Sequence, residues 1–264
     1  MDLEWMNRKI KKGLVSLLLI LDIVLLCFWG QDAEDGTSAE WKDATPVEPY
    51  VNAEWWTNKP VMSEKTDESI AVDAGLADGS SKKIALTFDD GPHPYYTEQL
   101  LDGLKERNVK VTFFVTGEHA ALHPDIIRRI HEEGHLIGNH TYSHIQLKTN
   151  NREIYMEELL ETEEVIMEII GEEVVYVRPP YGTWDKKLET ELDMIPVLWT
   201  VDALDWCSQD AVSVARKVIS NVEENDIILM HDYYATTVTA ALNIVDALIE
   251  EGYSFVTVEE ILFN

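Results

Sequence analysis

Cysteine and positive charge are both scarce in this 264-residue chain. Only Cys27 and Cys207 occur, far apart and the first inside an apolar stretch, so no disulfide framework is implied. Lys and Arg total 21 against 49 Asp and Glu, a formal net charge of -28. Without a local basic patch, that imbalance repels nucleic acid and polyphosphates and excludes them as natural partners; a neutral ligand fits better. Long hydrophobic runs are also rare, and one stands out at residues 14–30. What is present is an ordinary 45% apolar fraction and enough length for one substantial domain with attachments.

The apolar run follows Arg8, Lys9, Lys11 and Lys12, which reads as a short cytoplasmic basic segment at 1–12 and a membrane anchor or signal segment at 13–30. Its central Asp22 costs about 2.5–3.5 kcal/mol on insertion scales, against about 0.3–0.6 returned by each Leu, Ile, Val or Phe around it. The balance favours insertion. No small-x-small pattern follows Phe28 and Trp29, so an uncleaved single-pass anchor is expected, with secretion after signal cleavage as the alternative. The basic flank then places everything after Gly30 outside the cytoplasm. Residues 31–80 carry twelve acidic residues, three lysines, Pro46, Pro49 and Pro60, and read as an acidic flexible linker. Trp41, Trp55 and Trp56 are unusual there and are expected to dock on the domain.

From residue 81 to 264, apolar β-rich runs alternate with helical patterns. Strands are predicted near 84–88, 111–115, 135–138, 174–177, 196–201, 226–230 and 254–257. Val238, Ala241, Leu242, Val245, Leu248 and Ile249 keep helical spacing, and Pro124, Ile126, Ile127, Ile130 and Gly134 mark another helix with its start and stop. The pattern predicts an α/β fold of about seven parallel strands covered by helices. A distorted (β/α) barrel is expected, because polar groups at the ends of many strands must converge on one site.

Those groups are the chemistry of the chain. Asp89 and Asp90 follow 84–88 and precede a Gly91-Pro92 turn, which taken alone is also a good solvated turn. His140 and His144 stand four apart, a spacing that puts both on one side of a helical turn and suits a divalent metal. With Asp90 they make a two-His-one-carboxylate set that leaves room for water and substrate. Arg178, in a stiff Arg-Pro-Pro-Tyr-Gly turn, is the kind of cation that keeps a catalytic carboxylate ionised and aimed. Asp202, Asp205 and Trp206 put acids beside an indole, and His231 ends another run where a neighbouring carboxylate could raise its pKa for general-acid work. Trp184 and Trp199 are read as core.

In order, the motifs run Thr87-Phe88-Asp89-Asp90-Gly91, His140-Thr141-Tyr142-Ser143-His144, Arg178-Pro179-Pro180-Tyr181, Asp202-Ala203-Leu204-Asp205-Trp206 and Leu229-Met230-His231-Asp232. From about Lys83 onward the chain thereby resembles the polysaccharide deacetylases of carbohydrate esterase family 4, the NodB homology domain. The resemblance implies a distorted (β/α) barrel and metal-dependent removal of N-acetyl groups from N-acetylglucosamine polymers. Carried over by position, Asp90, His140 and His144 are the metal ligands, for zinc, with cobalt or other divalent ions tolerated. Asp89 is the general base oriented by Arg178, and His231 the general acid tuned by Asp205. The Tyr181 backbone N–H faces the developing oxyanion, and Trp206 with Leu229 forms the slot for the acetyl methyl. An extracytoplasmic domain makes peptidoglycan the first expected substrate, with chitin-type oligomers and acetylated xylan as alternatives. A catalytically silent glycan-binding wall protein is the reading from another class, and retention of Asp89 and His231 speaks against it. No obligate protein partner is implied.

Overall fold

A computed structural model describes residues 82–148 and 150–263. The expected basic segment, membrane segment and linker, with their three tryptophans, lie outside the described residues. Among the described residues no helix is long and apolar enough to cross a membrane.

Among the described residues there are eight strands: β1 (Lys82–Asp89), β2 (Thr112–Val115), β3 (Leu136–Asn139), β4 (Tyr176–Val177), β5 (Ile195–Pro196), β6 (Val201–Asp202), β7 (Ile227–His231) and β8 (Tyr253–Phe255). Seven lie along one path, β5-β4-β3-β2-β1-β7-β6, with β8 paired to β1, and every ladder is parallel. The helices are α1 (Tyr96–Glu106), α2 (Gly117–Leu122), α3 (Pro124–Glu132), α4 (Arg152–Ile170), α5 (Lys186–Leu192), α6 (Ala211–Ile219), α7 (Ala235–Glu250) and α8 (Val258–Leu262). Local sequence explains their ends: Pro124 opens α3, the Asp210 side chain accepts from the N–H groups of Val212 and Ser213 at the start of α6, and Thr257 with Glu260 forms a capping box on α8.

Period-two alternation assigns the two faces of the sheet. Ile84, Leu86 and Phe88 of β1 pack in the main core with Leu100, Leu101 and Leu104 of α1 and Ile244 and Leu248 of α7. Ala85 points the other way, into a second cluster with Phe114, Tyr176, Val197 and Ile227. Thr87 and Asp89 continue that inner face, as Arg178 does beyond Tyr176. The sheet curves strongly, because β4 stands three strands from β1, roughly 14 Å in a flat sheet, yet Arg178 after β4 bonds Asp89 at 2.8 Å.

The expected strand at 196–201 is corrected to two short strands, β5 and β6. After Val197, whose N–H still donates to the Val177 carbonyl at 2.8 Å, the chain leaves β4: the carbonyls of Val197 and Leu198 accept from Arg178 at 3.1 and 3.4 Å, and Thr200 bonds Ile227. The barrel is therefore not hydrogen-bonded shut between β5 and β6, where one buried guanidinium takes up carbonyls a neighbouring strand would use. Trp184 and Trp199 pack against apolar clusters, as expected.

Candidate active site

Every group in the site sits at or just past the C-terminal end of a parallel strand. Asp89 ends β1 and is 3% exposed, and Asp90 follows in the left-handed region at φ 74. Arg178 is fully buried, stacked over the Phe114 ring with its Cζ 4.2 Å from the centroid, and donates through Nη1 to Thr87 Oγ1 at 2.6 Å and Asp89 Oδ1 at 2.8 Å. A charge without solvent needs such partners, since an unpaired one would cost several kcal/mol, on the order of 3–5. Burial lowers the Arg178 pKa and the Asp89 carboxylate opposes that shift.

His140 and His144 do not lie on a helical turn, which corrects the expectation from their spacing. Residues 140–148 are irregular, and Thr141 and His144 adopt φ 61 and 56. Two left-handed residues fold the segment back so that the rings stand 5.0 Å apart. The segment is held from below by Asn139, whose Oδ1 accepts from the Thr141 N–H at 2.9 Å. Buried Glu158 of α4 does the same, accepting from the Ser143 N–H at 2.6 Å. With Asp90 and Tyr181 (φ 61), four non-glycine residues here sit in a region costing on the order of 1–3 kcal/mol each, and such outliers gather where geometry serves function.

The ligand atoms of Asp90, His140 and His144 all lie within 4.8 Å of one another. His140 Nδ1–H donates to the Arg178 carbonyl at 2.6 Å, so its Nε2 faces Asp90 Oδ1 at 3.3 Å, the same distance at which His144 Nε2 stands. That Asp90 oxygen is buried without a hydrogen-bond partner. Burial opposes its charge, but the imidazoles of His144 and His140 hold the Asp90 carboxyl well below the usual carboxylate range. Burial likewise lowers His144, whereas on His140 the carboxylates of Asp89 and Asp90 outweigh burial and raise it. One acidic oxygen and two imidazole nitrogens around an orphaned point suit one divalent cation, because one ion can satisfy the carboxylate charge and both nitrogen lone pairs.

Opposite Arg178, His231 Nδ1 donates to Asp205 Oδ1 at 3.0 Å, and Asp205 Oδ2 accepts from the His231 backbone N–H at 2.8 Å and from Thr237 Oγ1 at 2.9 Å. Burial works against the imidazolium, but the bond to Asp205 and its charge, with Asp90 and Asp89 behind, raise the His231 pKa to about 9. The Asp202 carboxylate caps the turn, accepting from the Leu204 N–H at 2.8 Å. Tyr181 is exposed, its ring 5.1 Å from that of His144. Trp206 is 48% exposed, while Leu229 is buried on the inner face with Ile227 and His231.

Thr87, Glu158 and Thr237 carry supporting bonds that their types alone did not signal. Asp232 lay in a motif without a role. It is fully buried, burial pushes its carboxyl up to about 7, and it accepts from Thr97 Oγ1, which in turn accepts from the His93 N–H at 2.8 Å. This chain ties the turn after Asp90 to the end of β7. Gly91 leaves the space Asp232 fills, since a Cβ there would overlap both carboxylate oxygens. Gly91→Ala is accordingly expected to destabilise the domain by about 1–3 kcal/mol, read as a lower denaturant midpoint at unchanged slope.

The chain is also similar to known proteins. The polysaccharide deacetylase family pattern matches residues 77–196. The chain is 38% identical over 183 residues to the peptidoglycan-N-acetylglucosamine deacetylase PgdA of Listeria monocytogenes, covering 69% of this chain but only 39% of that longer protein. It is 34% identical over 195 residues to a chitooligosaccharide deacetylase of Rhizobium leguminosarum bv. trifolii, covering 67% of this chain and 91% of the relative. The solved structure of the peptidoglycan deacetylase PdaC from Bacillus subtilis superposes with a TM-score of 0.68 at 36% identity, over 70% of this chain and 92% of the other.

Proposed function

This chain belongs to the polysaccharide deacetylase family, and from that premise we propose that it hydrolyses N-acetyl groups on N-acetylglucosamine-containing glycan, with peptidoglycan as substrate. The observation that carries the reading is the three-part site: a buried carboxylate on Arg178, an Asp-His-His cluster beside it, and an imidazole on a carboxylate across from it.

Asp90, His140 and His144 would hold the divalent ion, zinc by donor set. Bound there, the ion would supply the Lewis acidity that polarises the acetyl carbonyl. Asp89 acts as general base: Arg178 occupies its Oδ1, which leaves Oδ2, on the His140 side at 3.8 Å from Nε2, to take the proton of the attacking water. The water's oxygen adds to the acetyl carbon and the C–N bond breaks. His231, with Nδ1 fixed on Asp205, presents Nε2 to protonate the departing amine, so acetate and a glucosamine amine result. The Tyr181 backbone N–H meets the developing oxyanion, and Leu229 and Trp206 border the methyl. The basic flank and apolar run at 8–30 support a membrane-anchored protein with this domain outside the cytoplasm, where peptidoglycan is the nearest N-acetylated polymer.

Acetate release by the detergent-solubilised full chain, supplied with zinc, from peptidoglycan, chitin oligomers and acetylated xylan tests the reading. Release from peptidoglycan above the other two is expected. Preference for chitin oligomers would change the substrate, release from xylan alone would make the enzyme an esterase, and release from none would overturn the assignment.

A further inference from the structure

The two histidines of the metal cluster are held unequally. His140 is buried and its Nδ1 donates to the Arg178 carbonyl at 2.6 Å, so its ring is fixed in direction. The His144 side chain is 34% exposed, and among the described residues its imidazole makes no such bond. It meets Asp90 Oδ1 at 3.3 Å and stands 5.0 and 5.1 Å from the rings of His140 and Tyr181. A ligating imidazole is usually aimed by a hydrogen bond to its other nitrogen. Where the protein supplies none, the backbone that carries the ring has to set its place.

That backbone is bound residue by residue. The Thr141 N–H donates to Asn139 Oδ1 at 2.9 Å, and Asn139 Nδ2 donates in turn to the Leu159 carbonyl of α4 at 2.8 Å. The carbonyls of Thr141 and Tyr142 accept from the N–H groups of Gly117 and Glu118 at the start of α2, both at 3.0 Å. The Ser143 N–H donates to Glu158 Oε2 at 2.6 Å, and Ser143 Oγ lies 2.9 Å from both Glu158 oxygens. Of these groups only Glu158 reaches the residue that precedes His144. Its carboxylate is 1% exposed, and burial at that depth is offset only by donors. It rides on α4, where the neighbouring Leu159 is packed in a core cluster and Thr162 Oγ1 donates to the Glu158 carbonyl at 2.8 Å. His144 itself sits at φ 56, a conformation that relaxes unless its surroundings hold it.

We propose that Glu158 is the positioning residue of His144: through Ser143 it does for this ligand what the Arg178 carbonyl does for His140, and thereby sets how tightly the cluster holds its ion. The role rests on the reading of Asp90, His140 and His144 as a divalent metal site. It does not depend on which glycan is the substrate.

The test measures zinc affinity of the full-length, metal-stripped chain by competition with a chromophoric chelator, and the melting temperature of the same metal-free preparation. Glu158→Ala leaves the Ser143 N–H without its acceptor and is expected to weaken zinc binding about 10–100-fold. Glu158→Gln can keep an oxygen on that N–H and donate from its amide nitrogen to Ser143 Oγ, so its affinity is expected to stay within about threefold of native. Glu158→Asp draws the carboxylate back by one methylene and is expected to lose about tenfold; this milder change carries the test if the alanine chain does not fold. Thr162→Val removes a buried hydrogen bond of α4 that does not reach the loop, so its melting temperature should fall with zinc affinity unchanged. Native affinity in the alanine and aspartate chains, or equal weakening in Thr162→Val, overturns the role of Glu158 while the metal site stands. A native chain that takes up no zinc sinks the metal site and this role together.

Discussion

Asp89→Asn in the full-length chain is expected to lower kcat for acetate release by about 10²–10⁴-fold while the protein still takes up one divalent ion. The side chain keeps its shape and an oxygen for Arg178, so the cluster of Asp90, His140 and His144 is undisturbed. What is lost is the basic oxygen on the His140 side, which no other group replaces: Asp90 is drawn toward the two imidazoles, and Asp232 is buried on Thr97. A second consequence separates this reading from a purely structural one. Arg178 is fully buried, and its ion pair becomes a neutral hydrogen bond, so thermal stability should also fall. Metal content by elemental analysis, melting temperature and kcat are measured on the same preparation. Loss of metal along with activity would mean that Asp89 serves as ligand rather than base, and a variant with native kcat would remove it from the mechanism.

Much of this site was legible because the fold uses one device repeatedly. An apolar run buried on both faces cannot end in a polar residue by accident when the next strand does the same, and Asp89, His140, Arg178 and His231 all follow such runs. The helices were legible for the same reason, since 235–250 and 124–132 keep 3.6-residue spacing between clear ends. The break at 197–200 was not. Val197, Leu198 and Trp199 read as strand, and only the position of Arg178, nineteen residues away from Val197 in the chain, explains why the carbonyls of Val197 and Leu198 turn inward. The path of 140–144 was equally hidden. A spacing of four is ambiguous between a helical turn and a loop folded by left-handed residues, and while His tolerates positive φ better than most types, β-branched Thr141 gives no sign of it. Supporting residues such as Glu158 and Thr237 were invisible because their partners are backbone N–H groups or distant carboxylates rather than neighbours in sequence.

Asp205→Asn is the second substitution with a large expected effect, and its direction follows from the sign of one pKa shift. In the proposed mechanism His231 is the acid, so it works protonated; its pKa is raised to about 9, chiefly by Asp205 against the cost of burial. Activity is therefore present below that pKa and lost as pH rises through it, which makes His231 the alkaline limb of the kcat profile. A neutral partner removes the largest favourable contribution, and the limb moves to lower pH, by on the order of one unit or more. Asparagine also cannot accept from all three donors that Asp205 now serves, the His231 N–H, the His231 Nδ1–H and Thr237 Oγ1, so the ring loses its fixed orientation. Together these predict a loss of about 10²-fold or more at pH 8. Stability gives an independent check. A histidine with a raised folded pKa contributes stability that is full below its ordinary value of 6.5 and lost as pH rises toward 9. Native stability should thus decline across that window through this group, and the Asp205→Asn decline should be shallower. An alkaline limb that stays in place in the variant would assign the acid to a group other than His231.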